Sequence, residues 1–180
     1  MATLPRRLNL GCGRDRRADC LNVDQVAAVE PDLVWNLDQY PYPLPEGHFE
    51  HIYLLDVIEH LESLPAFFKE ALRLLAPGGV LEITTPHYSS ANSFTDPTHR
   101  HHLGYFFADY FTDASKWSFY SPVRFAVLER RLVFHPGRLA RWIARWANHH
   151  PAAYERRWAW LYPAWFLHLR LAAVKGGGEE

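Results

Sequence analysis

Two stretches decide the fold: Leu8-Asn9-Leu10-Gly11-Cys12-Gly13, and after it Leu21-Asn22-Val23-Asp24. Each opens on a short apolar run that reads as a strand. The first stops on a Gly-x-Gly turn and the second on a carboxylate. Glycines behind a first strand let the backbone approach a ligand closely. In open α/β sheets that ligand lies beyond the carboxyl ends of the strands, where the strand order reverses. A dinucleotide fingerprint needs a third glycine at position 16, and the chain has Arg16 there. A pyrophosphate ligand, and with it nicotinamide-dependent redox chemistry, is disfavoured.

Moving outward, the strand form recurs. Asp32 to Asp38 predicts a third strand ending in Asp38, and His51 to Leu55 a fourth ending at Asp56. A helix is predicted over Leu64 to Leu75, capped by Ser63 with Pro65 in its first turn. Phe68, Ala71, Leu72 and Leu75 give it one apolar face, and Pro77-Gly78-Gly79 ends it. Val80 to Thr85 is a β-branched strand stopped by Pro86. Residues 87–120 form a substrate-side loop with a short aromatic helix at Tyr105 to Phe111. Phe125 to Phe134 and Trp165 to Val174 read as the last two strands, with helical residues 138–162 between them. The whole predicts an α/β, Rossmann-like fold with a mostly parallel sheet of about seven strands. Only about ten residues separate the first two strands, whereas a parallel crossover takes a dozen or more. The first crossover helix is therefore expected to be reduced to a turn.

The 180 residues, 48% hydrophobic, suit one domain over residues 1–175 with a loose tail at 176–180. A net charge of -1 argues against a partner held through nucleic-acid phosphates. The two cysteines, Cys12 and Cys20, make no disulfide framework, and a reducing, cytoplasmic compartment is the expectation. Residues 1–7 lack the form of a signal peptide, and the longest apolar run, Trp158 to Leu167, is too short to span a bilayer. The 11 histidines and the 7 Trp, 9 Tyr and 11 Phe residues are left to be placed.

A carboxylate at Asp24 can accept from both hydroxyls of a ribose, and one at Asp38 from an adenine amino group. Strands ending in Gly, Asp and Asp make a nucleoside site without a phosphate cradle, which points to S-adenosylmethionine. The sequence resembles the class I S-adenosylmethionine-dependent methyltransferases of the small type 11 kind. The resemblance is carried by the two opening stretches, by Leu44-Pro45-Glu46-Gly47-His48-Phe49-Glu50-His51-Ile52, by Asp56-Val57-Ile58-Glu59-His60-Leu61, and by Glu70 to Gly79. It covers roughly residues 8–86 and departs from the family in the third glycine and the short crossover. It implies Leu10, Gly11, Cys12 and Gly13 near the methionine moiety and Asp24 on the ribose. It implies Leu37 and Asp38 near the adenine, and Asp56 and Val57 by the methyl end. It also implies an antiparallel last strand, with residues 138–162 inserted before it.

Asp56, Glu59 and His60 would share one face if that segment were helical. His87 follows the fifth strand, and Asp96-Pro97-Thr98-His99-Arg100-His101-His102 lies just beyond. Histidines suit proton removal from a hydroxyl or amine acceptor, and His99, His101 and His60 are the catalytic candidates. No metal is expected. The alternative joins Glu59, His60 and one of His99, His101 or His102, with His101 the preferred member and Asp56 or Asp96 in support. That set resembles the metal site of the small-RNA 2′-O-methyltransferases. The bland reading makes these histidines structural.

The segment from Arg138 to Trp165 interleaves Trp and Arg. Its stripe of Leu139, Trp142, Ile143 and Trp146 is expected to pack over the sheet with the arginines outward. A peripheral membrane contact or a protein partner is the alternative. The function expected is methyl transfer to a small-molecule acceptor. A non-catalytic S-adenosylmethionine-binding module and a metal-dependent enzyme built on the histidine loop are the competing readings.

Overall fold

β1 (Arg7–Leu10) lies inside a seven-stranded sheet, hydrogen-bonded in parallel to β2 (Leu21–Asp24) on one side and to β4 (Phe49–Leu55) on the other. The computed structural model describes residues 3–112 and 123–175. β3 (Leu33–Val34) extends the β2 edge. β5 (Leu75–Pro86) follows β4 in parallel. β6 (Phe125–Val133) and β7 (Phe166–Ala173) complete the order β3-β2-β1-β4-β5-β7-β6, with β7 antiparallel to both its neighbours. The strand order reverses between β1 and β4, so their carboxyl ends flank the crevice where ligands of such sheets bind.

The helices follow the local chemistry. α1 (Leu64–Leu74) starts where the Ser63 hydroxyl accepts from the Ala66 amide. It buries Phe67, Phe68, Ala71 and Leu74 against Leu8, Leu10, Ile52 and Leu54 of the sheet. Phe68 also stacks on Phe111, with centroids 3.9 Å apart. The helix ends at Leu74 rather than at the Pro77-Gly78-Gly79 turn, because Leu75 is already extended and pairs with Phe49. The expected seven-residue third strand shrinks to Leu33–Val34, leaving Asp38 on a turn beyond it. α2 (Asn92–Thr95) is a single turn in the stretch without a clear period. The aromatic segment forms a 3-10 turn over Phe107–Phe111. The rest of the substrate-side loop, from 113 to 120, and the tail at 176–180 lie outside the described residues.

The short first crossover is a turn, as its length requires, and two buried asparagines hold it. The Asn9 amide donates to Asn22 Oδ1 (3.1 Å) and to the Asp15 carbonyl (2.9 Å). The Asn22 amide donates to the Arg17 and Cys20 carbonyls and to Asp32 Oδ2, while its Oδ1 accepts from the Arg17 amide. Side-chain amides thus satisfy backbone groups that a crossover helix would pair internally.

α3 (Arg138–His149) and α4 (Pro151–Arg157) fall between β6 and β7. Here the expected orientation is reversed. The stripe does not pack over the sheet: Leu139 is 68% exposed, Trp142 73% and Trp146 40%. The flank that carries Ala147 and Asn148 turns inward instead, with Ala147 fully buried. Asn148 fixes that choice, because it accepts from the Leu132 amide (2.7 Å) and donates to the Leu132 carbonyl (2.9 Å). β6 is an edge strand, and the asparagine occupies backbone groups that such an edge leaves open.

Candidate functional site

Gly11 follows β1 with φ +66°, in the left-handed region. A Cβ placed there would run into the Val57 side chain. The residue after β1 and the segment after β4 therefore meet across the strand-order reversal only because position 11 has no side chain. Gly13, also left-handed, donates its amide to Asp24 Oδ2 (2.8 Å). The other Asp24 oxygen accepts from the Val26 amide (2.9 Å). Both bonds hold the carboxylate in one orientation. Each oxygen keeps a further lone pair for a ligand hydroxyl.

A cavity of about 770 Å³ opens here. Gly11, Asp24, Leu37, Asp38, Val57 and His60 are among its lining residues. That volume lies within the range of small-molecule and cofactor sites. Leu37 is buried and its carbonyl accepts from the Tyr42 hydroxyl, while Asp38 Oδ1 accepts from the Glu62 amide (2.8 Å). Asp56 stands beside the cavity in a left-handed conformation, bonded by the Thr84 hydroxyl (3.0 Å). Leu10 is fully buried below the turn. Cys12 is buried, and burial raises its thiol pKa; Cys20 is raised to about 11 by burial and by Asp19. Neither thiol is a poised nucleophile, and both are free.

The histidine cluster assembles differently from the expectation. Asp56 to His60 is not a helix: only Ile58–His60 makes a 3-10 turn. Glu59 points inward, 1% exposed, and accepts from the Thr85 hydroxyl through Oε2 (3.1 Å). Its Oε1 is buried without a hydrogen-bond partner, and His99 Nε2 lies 3.9 Å away. Burial is the main cause that pushes the Glu59 carboxyl up to about 7. His60 and His99 meet edge to face, with centroids 4.6 Å apart. Glu59, His60 and His99 each place one ligand atom within 4.8 Å of the others. His101 is not part of this group. Its Nε2 donates to the Leu61 carbonyl (2.8 Å), so the Glu59, His60, His101 metal set is corrected to one with His99. His102 is spent on Ser93 and Phe94.

Hydrogen-bond partners fix which ring nitrogens donate. The His99 Nδ1 faces the Ser93 carbonyl (3.0 Å), which can only accept, so Nδ1 carries a proton and Nε2 is the nitrogen turned to Glu59. The Thr98 hydroxyl donates to Asp96 (2.6 Å), so it accepts from His60 Nδ1 (3.0 Å). In the neutral His60 ring, Nε2 is then the nitrogen with a lone pair. Of the two rings, His60 lines the cavity, whereas the His99 side chain is 8% exposed.

His87 is fully buried behind β5, between Ser89 (2.8 Å) and Glu155 of α4 (3.1 Å). Glu155 also accepts from the Tyr105 amide and so ties α4 to the substrate-side loop. The sequence reading missed this anchor, as it missed Asn9 and Asn22. The local signal for the asparagines was a polar residue inside each of two apolar strands.

Comparison with known proteins adds the family. A family model described as a methyltransferase domain matches residues 3–172. A search of curated proteins finds no match. Among solved structures, a methyltransferase from Archaeoglobus fulgidus superposes with a TM-score of 0.65 at 15% identity, over 94% of this chain and 86% of that one. One from Mesorhizobium loti gives 0.58 at 15%, over 96% and 93%. The Haemonchus contortus phosphoethanolamine N-methyltransferase 2, solved with S-adenosylmethionine, gives 0.52 at 16%, over 98% of this chain and 50% of that one. These likenesses share the fold seen here, and the family match spans nearly the whole chain. The chain belongs to the methyltransferase-domain family and is a class I methyltransferase whose cofactor is S-adenosylmethionine.

Proposed function

We propose that this chain, as one domain over residues 1–175, methylates a hydroxyl or amine of a small-molecule acceptor. S-adenosylmethionine supplies an electrophilic methyl group on a sulfonium. The carrying observation is the cavity that joins Gly11, Asp24 and Asp38 to a cavity-facing imidazole, His60. Asp24 takes the ribose hydroxyls through the lone pairs its backbone bonds leave. Leu37 and Asp38 border the adenine. Leu10, Gly11, Cys12 and Gly13 follow the methionine moiety, and Asp56 and Val57 stand at the methyl end. His60 takes the acceptor's proton on Nε2, while Thr98 and Asp96 hold its Nδ1 proton. His99 and Glu59 pack behind it and position the ring. His101 holds the loop to Leu61.

The test is incubation with methyl-labelled cofactor and cell extract, with mass spectrometry of labelled products. Labelled small molecules support the proposal, and cofactor binding without any labelled product overturns it in favour of a binding module. With the acceptor in hand, His60→Gln is expected to lower kcat by about 10²–10⁴-fold while cofactor affinity stays at the wild-type value. His101→Gln is expected to leave kcat near wild type.

One observation favours a second reading, a divalent cation on Glu59, His60 and His99: the buried Glu59 Oε1 without a hydrogen-bond partner. Mixed carboxylate and imidazole ligands suit such an ion. Calorimetry with Zn²⁺ and Mn²⁺ separates the two. Binding that His99→Ala abolishes supports the cation, and no binding by the wild type excludes it.

A further inference from the structure

The face formed by α3 and α4 is unlike the rest of the surface. Leu139, Trp142 and Trp146 of α3 and, in the turn just after α4, Trp158, Trp160 and Leu161 are exposed, between 40% and 73%. Between the two helices lies a groove of about 320 Å³, walled by Trp142, Ile143, Trp146, Tyr154, Trp158 and Tyr162. Charge is segregated in the same place. Residues 138–162 carry five arginines and one acid, although the whole chain is at -1. Arg138, Arg141, Arg145, Arg156 and Arg157 are all exposed, and none makes an ion pair with a described residue. The single acid, Glu155, points inward to His87 and the Tyr105 amide.

The orientation is built in. Asn148 locks α3 to the edge of β6, the Tyr154 hydroxyl holds the chain beyond α4 at the Tyr162 carbonyl (2.8 Å), and Glu155 holds α4 to the loop. The aromatic face is thus held outward. At helical spacing, Arg138, Arg141 and Arg145 run along one flank of the Leu139–Trp142–Trp146 stripe. Trp and Tyr rings settle at the headgroup level of a bilayer, and unpaired arginines are drawn to anionic lipid.

We propose that the α3–α4 face is a docking surface for an anionic phospholipid bilayer. The helices lie in the plane of the interface, with the aromatic stripe seated at the acyl boundary and the arginines against lipid phosphates. Charge complementarity is what selects this occupant. Within residues 138–162, five cations without an acidic partner among the described residues, and no outward-facing acid, match a surface of one negative sign; the nearby Glu129 is taken by Arg131 and Arg170.

The experiment is co-sedimentation of the full chain with phosphatidylcholine vesicles, with and without about 30% phosphatidylglycerol, at low and high salt. The expected result is at least about tenfold stronger binding to the anionic vesicles, weakened by salt. Arg141→Glu with Arg145→Glu, and separately Trp142→Ser with Trp160→Ser, are each expected to lower that binding about tenfold or more. Arg6→Glu, on a different strand edge, is expected to leave it unchanged. Thermal melts and cofactor titrations at wild-type values show that the α3–α4 variants are folded. Equal binding to both vesicle types overturns the proposal, as does no binding by the wild type. A concentration-dependent dimer that Trp142→Ser abolishes, without vesicle binding, also overturns it and assigns the face to a second copy of the chain.

Discussion

At the scale of the residue, Gly11 and Asp24 carry the proposed cofactor site on one backbone turn and one carboxylate. Gly11→Ala forces a Cβ into Val57 and strains a left-handed residue. It is expected to cost about 1–3 kcal/mol in denaturant unfolding and to weaken cofactor binding. Gly13→Ala carries the backbone strain without the clash, since a Cβ there meets nothing within 4 Å, so it is expected to cost less. Asp24→Ala removes the proposed ribose acceptor and also frees the amides of Gly13 and Val26. Calorimetry is expected to show S-adenosylmethionine affinity falling at least about tenfold, the scale of a lost hydrogen bond to a charged group. Wild-type affinity in that variant refutes the ribose assignment. The left-handed turn at Gly11 and the strand-end carboxylate at Asp24 were legible because residue type and spacing carry them. The partnership of His60 with His99, rather than His101, was not, since neighbouring loop positions differ only in where the backbone turns them.

At the scale of the element, the loop from Gly11 to Cys20 stands where a crossover helix is usual. Its length in the sequence predicted the missing helix. What replaces the helix was not predicted, because Asn9 and Asn22 act only when β1 and β2 lie side by side. Asn22→Ala leaves the Arg17 amide and the Asp32 carboxylate short of partners. It is expected to destabilise the protein by about 2–3 kcal/mol in urea unfolding, with no other change at the cofactor cavity. In α3 the periodicity correctly gave a helix and outward arginines, yet the apolar stripe is outward too. Apolar spacing identifies a stripe but not what covers it, and here the flank with Ala147 and Asn148 meets the β6 edge at Leu132.

At the scale of the whole molecule, stability and charge are distributed unevenly. Asp32 ties β2 to the crossover, and its carboxyl is held below its ordinary 3.8, first by the Asn22 amide and then by the Asn22 side chain and Arg16. A depressed folded value means the contribution is present above the unfolded value and is lost as pH falls through the folded one. Thermal melts of Asp32→Asn are expected to be lower than wild type near neutrality, with the difference shrinking as pH falls below 3.8 through the depressed folded value. A constant difference across that range contradicts the linkage.

The succession of seven strands, the glycine turn after β1 and the helical stretch before β7 were readable in the residues alone. Those follow from local rules: alternation, glycine at a left-handed turn, and carboxylates at strand ends. Which histidines meet, which asparagines replace a helix and which way α3 faces were settled by folding. Each of these is a contact between residues distant in the chain, such as His60 with His99, Asn22 with Asp32, and Leu132 with Asn148. Local pattern constrains a residue's own backbone and its immediate face. It does not fix the partner that the folded sheet brings to it.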